Sequence, residues 1–466
     1  MKIGAAGCAD RALRPHVQRE WRGVEFPITS CEQKEHIVRL GVMKKNLGRA
    51  GLGRKANLTA TLLLLIFPLL LFPQICLAQH EQALPLLPKD GVNPGGGLIS
   101  DSAGNFYGTG GSGGANNLGT VFQLSPVSNG MTTLTVLYSF TGSGDGAYPV
   151  GDLVFDSSGN IYGVTQFGGN LNSACSSMGC GTVFELSPPI QPGGPWTETV
   201  LYKFQGSPDG AEPGSGLVLD GFGSLYGTTK FGGAQCSCGT VFEISPTTMD
   251  GWTETVLYLF GNNPDGSEPT ASPVFDSAGN LYGTTSLGGQ WGAGTVFQLA
   301  PPSQPGGPWT EVVLHSLFAN TDGRTPTGGL TLNGSAIYGT ASEDGPNGHG
   351  TVFRLFPSRN ASGAWTFELV HSFGGLDGSG PGGRLTFANP NTLYGTTEGG
   401  GSANSGTVFQ ISNSQGKVTE TVLYTFAGGL DGSHPSAGLI LLNFALYSTT
   451  PIGGKNNGGV VFRLSH

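Results

Sequence analysis

The sequence predicts an all-β fold: a seven-bladed β-propeller of four-stranded blades, its ring closed by an N-terminal strand that completes the last blade. Three observations carry this expectation. The 466 residues include 81 Gly and 30 Pro, a density that breaks helix interiors. Only 11% of residues are charged, yet there are 26 Phe, 12 Tyr and 6 Trp. That is too little repulsion and too many buriable rings for a solvated, disordered chain. Finally, one unit recurs seven times after residue 79, and repetition at a near-constant period marks a repeat architecture.

Taken in chain order, residues 1–42 precede a second methionine, Met43, and read as an extension of the gene product, with synthesis expected to start at Met43. Residues 43–78 read as an export signal. Lys44, Lys45, Arg49, Arg54 and Lys55 form a basic stretch, residues 58–73 an apolar run, and Ala78 stands before polar Gln79. Pro68 and Pro73 interrupt the run, which falls short of the roughly 20 apolar residues a spanning helix needs. Cleavage after Ala78 is therefore expected rather than anchoring, and it places residues 79–466 in the cell envelope or the extracellular medium. That portion has 10 Lys and Arg against 26 Asp and Glu, a net charge of −16. Such a surface repels phosphate backbones, so neither nucleic acid nor an anionic membrane is an expected partner.

The repeat has three independent markers. A Tyr-Gly-Thr-like motif places its tyrosine at Tyr107, Tyr162, Tyr226, Tyr282, Tyr338, Tyr394 and Tyr447. Gly-Thr-Val-Phe or a near copy follows, ending at Phe122, Phe184, Phe242, Phe297, Phe353, Phe409 and Phe462. An Asp-Gly pair precedes each unit at Asp90, Asp145, Asp209, Asp265, Asp322, Asp377 and Asp431. In the third unit, residues 216–220, 225–229, 239–245 and 252–260 read as four strands separated by Gly-rich or Pro-containing loops. Alternation in the fourth strand puts Val256, Tyr258 and Phe260 on one face and Thr255, Leu257 and Leu259 on the other. Both faces are apolar, as in a sheet held between like neighbours. Four strands per unit favour a propeller over an open solenoid. The last unit stops after its third strand at 459–465, and residues 81–87 stand where a fourth belongs. Pro85 and Pro88 suit an outermost edge.

Tyr-Gly-Thr-Thr, Gly-Gly, Gly-Thr-Val-Phe and Val-Leu-Tyr-x-Phe, with Asp-Gly after them, resemble the bacterial Gloeo/Verruco (GloVer) tandem repeat across about residues 80–466. The resemblance implies a secreted propeller-like protein of the choice-of-anchor type, with no defined activity and no catalytic residue to carry over. Members often bear a C-terminal sorting segment. This chain ends on a strand at His466, which favours release over surface anchoring.

What recurs in every unit serves the fold, and what differs between units can serve a ligand. By that rule the Asp-Gly pairs are turns. The alternative is a ring of cation-binding carboxylates, Asp145, Asp209, Asp265, Asp322, Asp377 and Asp431, although calcium wants several oxygens converging rather than one per blade. The loops between second and third strands vary most and are expected on the face of the Asp-Gly connections. They supply the candidate ligand-binding residues Trp291, Glu343, Asp344, His349 and Asn404, joined by His434 of the seventh unit. A loop Trp among amides and acids suits stacking on a sugar ring, or else folds over its own loop. His315 and His371 replace the tyrosine of Leu-Tyr-x-Phe and read as framework. No metal centre, cofactor motif or hydrolase motif stands out. Cys175 and Cys180 are expected to close a loop disulfide, as export favours. Cys236 and Cys238 would form a small strained ring, and their pairing is left open.

Two functions follow. The first is a secreted binding or scaffold module presenting variable loops to a polysaccharide or an extracellular protein. The second is an extracellular propeller lyase or hydrolase with its site at the channel mouth. For that reading Glu343, Asp344, His349 and His434 are the acid/base candidates, and they would have to converge.

Overall fold

The structure is a computed structural model. It describes residues 79–465 except 87–88, 127–131, 143, 173, 176, 234–235, 249–250, 262, 305 and 359–363. The expected extension, residues 1–42, and the expected export signal, residues 43–78, lie outside the described residues.

Seven antiparallel sheets of four or five strands form the blades of a β-propeller. In chain order the blades span 99–139, 147–203, 210–259, 274–316, 331–372 and 379–425, and blade 7 joins 440–465 to the strand Gln79–Pro85. Blade 3 shows the unit. Val218–Leu219 is innermost, followed outward by Leu225–Gly232, Thr240–Pro246 and Trp252–Leu259. The expected closure is present. Gln79–Pro85 pairs antiparallel with Val460–Ser465, with Gln79 opposite Ser465 and Pro85 opposite Val460. The one helix among the described residues is a single turn, Ala319–Asp322, between blades 4 and 5.

Local chemistry explains the motifs. In the first hairpin of blade 1, Asp101 Oδ1 accepts from the backbone N–H groups of Ala103 and Asn105, both at 2.9 Å. Its Oδ2 accepts from the Tyr107 hydroxyl at 3.0 Å. Asp156, Asp220 and Asp276 repeat this turn with Tyr162, Tyr226 and Tyr282. The motif's tyrosine therefore locks the turn that launches its own strand. The glycine after it makes room for the phenylalanine of the third strand. At Gly283 a Cβ would lie 2.5 Å from Phe297 Cζ, far inside contact distance. The threonine of Gly-Thr-Val-Phe ties the blade to the preceding Asp-Gly turn, as Thr295 Oγ1 does by donating to the Asp265 carbonyl at 3.2 Å.

The core is a ring of seven interblade clusters. Phe204 of blade 2 meets Phe242 of blade 3 edge-on at 5.0 Å, and Phe260 meets Phe297 at 5.1 Å. At the closing junction Leu84, Leu86 and Val461 pack against Leu98, Phe122 and Leu124 of blade 1. Each fully buried leucine or phenylalanine here contributes about 1.5–3 kcal/mol.

Two expectations need correction. The inner strand comes in two pieces: in blade 3, Gly210–Pro213 also pairs with Leu225–Gly232, Gly210 lying opposite Gly232. Strict alternation in the fourth strand fails, because Phe242 pairs with Val256 and Val241 with Tyr258, leaving Leu257 as an inserted residue. The same bulge recurs at the matching Val–Phe step of blades 1, 2, 4, 5 and 6. The expected Cys175–Cys180 disulfide is present, and Cys236–Cys238, whose pairing the sequence left open, is bonded as well. Cys175–Cys180 has a Cα separation of 5.0 Å and Cys236–Cys238 one of 5.1 Å. Ser237, at φ 54, folds the chain between the second pair, which is why so short a spacing can close.

Candidate functional site

The inner strands surround an axial channel with two connected cavities, of about 470 and 370 Å³. Equivalent positions of the seven inner strands form its waist: Gly97, Asp152, Gly216, Ser272, Gly329, Arg384 and Gly438. Five are small, and the two charged ones, Asp152 and Arg384, line both cavities. Asp152 Oδ1 accepts from the Gly97 N–H of the neighbouring blade at 2.7 Å. Arg384 occupies the space beside Gly329, where a Cβ would lie 2.8 Å from its Nε. That Nε is buried and has no hydrogen-bond partner. An unbonded buried guanidinium N–H is costly.

Above the waist the 470 Å³ cavity carries charged and hydroxyl side chains among small residues. Its charged rim comprises Lys230, Glu268 and Glu398. Lys230 pairs with Glu268 at 3.4 Å. Glu398 has its carboxyl raised above the ordinary range by burial, an effect that nearby His434 opposes. Below the waist the 370 Å³ cavity is walled by Ile99, Val154, Val218 and Val274. The ion-pairing side chains thus lie on one side of the waist and the aliphatic ones on the other.

Backbone strain recurs in the Asp-Gly-x-x-Pro segments. The residue before proline in each Asp-Gly-x-x-Pro segment is Asn93, Tyr148, Glu212, Glu268, Thr325, Gly380 or His434, and every one has φ between 54 and 68. A residue before proline ordinarily takes extended backbone, and left-handed geometry costs a non-glycine residue about 1–2 kcal/mol. The repeat holds these residues in one backbone geometry while their side chains span six residue types, glutamate occurring twice.

The loop residues singled out in the sequence lie as follows. Trp291 is 57% exposed and meets Phe318 edge-on at 5.6 Å. Glu343 and Asp344 both bind Arg324, at 2.6 and 2.9 Å. His349 bridges to Asp344 through the backbone, and its Nδ1 lies 3.2 Å from Ser379 Oγ. Asn404 Oδ1 accepts from the Gly400 N–H of its own loop at 2.9 Å. His434 faces Glu398. Among the described residues no hydrogen bond or ion pair joins His434 to Glu343, Asp344 or His349, so the four acid/base candidates form two groups.

The Asp-Gly carboxylates sit between blades. Asp145, Asp209, Asp265 and Asp431 each accept from a tyrosine of the outermost strand, Tyr138, Tyr202, Tyr258 and Tyr424, at 2.8–3.0 Å. His315 and His371 take that place against Asp322 and Asp377. Glu198, Glu254, Glu311 and Glu420 from the next blade's outermost strand abut these aspartates, and each keeps a buried Oε1 without a partner. Burial first, and the facing aspartate second, push each of these four carboxyls up to about 7.

Sequence reasoning missed Asp152, Lys230, Glu268, Arg384 and Glu398. A signal was available: Asp152 and Arg384 break the repeat at inner-strand positions and Lys230 and Glu398 at second-strand positions, but variation was sought only in the loops.

Seven blades around a side-chain-lined axial cavity define a β-propeller. The chain belongs to the Gloeobacter/Verrucomicrobia repeat family, whose repeat matches residues 81–191, 172–386 and 361–466. It is similar in fold to a candidate 6-phosphogluconolactonase from Bacteroides uniformis, at 15% identity and a TM-score of 0.44, covering 70% of this chain and 83% of that one. A protein of unknown function from Dyadobacter fermentans is similar at 11% identity and a TM-score of 0.39, covering 84% of this chain and 100% of that one. At these scores neither carries an argument about activity. No curated protein matches the chain. Among the described residues no helix is long and apolar enough to cross a membrane.

Proposed function

We propose that the protein is a secreted binding module that takes an acidic sugar of an extracellular polysaccharide in the upper part of its axial channel. The observation that carries this reading is Arg384, a guanidinium with a buried, unbonded Nε in a waist of small residues. A uronate carboxylate suits Arg384, and sugar hydroxyls suit Asp152 and the Lys230–Glu268 pair. The loop after Ser286 carries exposed Trp291, a surface on which a further sugar ring stacks. Glu343, Asp344, His349 and Asn404 belong to the same variable loops and extend the contact surface. Two disulfides fit the oxidising compartment that export implies.

The test is a glycan array on residues 79–466, followed by calorimetry on the hits. Arg384→Gly, which installs the residue of four other blades, is expected to weaken binding of acidic glycans at least tenfold, and Trp291→Ala to weaken it less. Absence of glycan binding, or unchanged affinity in Arg384→Gly, overturns the reading. A protein ligand in place of a glycan would do the same.

The second reading, a lyase or hydrolase, is favoured by one observation: Glu398, with its raised carboxyl, faces His434 at the channel mouth. Turnover of a bound glycan that disappears in Glu398→Gln supports it; binding without turnover removes it.

A further inference from the structure

We propose a divalent transition-metal site between the outermost strands of blades 5 and 6, formed by His371, Asp377 and Glu420. His371 lies on Trp365–Ser372, Asp377 in the connection that follows, and Glu420 on Lys417–Thr425. One ligand atom from each lies within 4.8 Å of the others, and His371 Nε2 stands 3.0 Å from Asp377 Oδ2. Glu420 brings a buried Oε1 that bonds to nothing. Asp377 keeps its other oxygen on the Gly374 N–H at 2.8 Å, which fixes the carboxylate's orientation. One imidazole nitrogen and two carboxylate oxygens suit Zn²⁺, Mn²⁺ or Co²⁺, whose bonds to such atoms run about 2.0–2.2 Å. The His371 and Asp377 side chains are 21% and 27% exposed, so water can reach the ion and complete its shell.

The other junctions serve as internal controls. Between blades 1 and 2, 2 and 3, and 3 and 4 the same aspartate and glutamate are present, but a tyrosine replaces the histidine. Between blades 4 and 5 the histidine and aspartate are present as His315 and Asp322, but Phe367 takes the place of the glutamate and stacks on His315 at 4.4 Å. Among the described residues only the junction of blades 5 and 6 combines all three ligand types. The inference is independent of the axial channel, which lies on the innermost strands.

The test uses residues 79–466, stripped with chelator and titrated with Co²⁺. Ligand-field absorption, bound metal after dialysis and the thermal midpoint with Zn²⁺ are the readouts. The wild type is expected to bind one equivalent and to melt higher with metal. His371→Tyr restores the residue of the neighbouring junctions and is expected to lose the absorption band and at least tenfold in affinity. Glu420→Gln should do the same, and it decides the matter alone if His371→Tyr misfolds. His315→Tyr should bind as the wild type does. A wild type without a ligand-field band, or a His371→Tyr variant that binds equally well, overturns the proposal.

Discussion

At the scale of the residue, the repeat's glycines and aromatics act as pairs. Gly283 is empty space into which the Phe297 ring is pressed, and Gly395 stands in the same relation to Phe409. Gly283→Ala is therefore an overpacking change, expected to cost about 1–3 kcal/mol and to lower the melting midpoint without altering far-ultraviolet circular dichroism. Gly104→Ala, at an open turn where no atom crowds a Cβ but φ is +83, separates backbone strain from crowding. It should cost about 1 kcal/mol from left-handed geometry alone. Equal losses at the two positions would refute the packing account. The same residue-scale logic explains why the loop candidates were visible in the sequence while Arg384 was not. Trp291 and His349 stand out by type in variable loops. Arg384 stands out only by position, against Gly97, Gly216, Gly329 and Gly438 in register with it, and that register is certain only once the inner strands are aligned in space.

At the scale of the element, Gln79–Pro85 supplies the outer strand of blade 7, and Leu86 just beyond it is fully buried in the closing cluster. Leu86→Ala is expected to cost about 2–5 kcal/mol. Removing residues 79–86 should expose the edge of Val460–Ser465 and lead to dimers or aggregates, read by size-exclusion chromatography. A monomer with an unchanged melting point would show that the strand is dispensable. This closure was legible in the sequence because a missing strand at one end and a spare one at the other are both countable. The bulge in the fourth strand was not. Val256, Leu257 and Tyr258 are all acceptable strand residues, and the extra residue is revealed only by pairing across to Val241 and Phe242. The split inner strand was missed for a related reason: Glu212 and Pro213 read as connection, yet the segment still bonds to the second strand. Cys236–Cys238 escaped because the left-handed turn at Ser237 has no signature in residue type.

At the scale of the whole molecule, buried carboxyls at successive blade junctions give the ring a collective response to acid. Glu198, Glu254 and Glu311 have an ordinary value of 4.5 and are pushed up to about 7 in the fold. Their protonated forms favour the folded state. Stability from this source is complete below 4.5 and is lost as pH rises through 7. Asp101, Asp276 and Asp322 are held below their ordinary 3.8, by hydrogen bonds that outweigh burial, so their contribution is lost as pH falls below that value. Stability should therefore peak near pH 4.5–5 and decline towards pH 8, as measured by denaturant midpoints across that range. In the triple variant Glu198→Gln, Glu254→Gln and Glu311→Gln, the decline towards pH 8 should flatten. A midpoint that rises steadily from pH 5 to 8 would refute the assignment.

The register of Gln79 with Ser465 has a temporal consequence for a chain made from its N-terminal end onward. The first strand to emerge has no mate until Val460–Ser465 follows, so six blades must assemble beside a dangling segment that none of them can use. Correct assembly then requires their outer edges to reject that segment, and the clasp fastens only once Val460–Ser465 has been made.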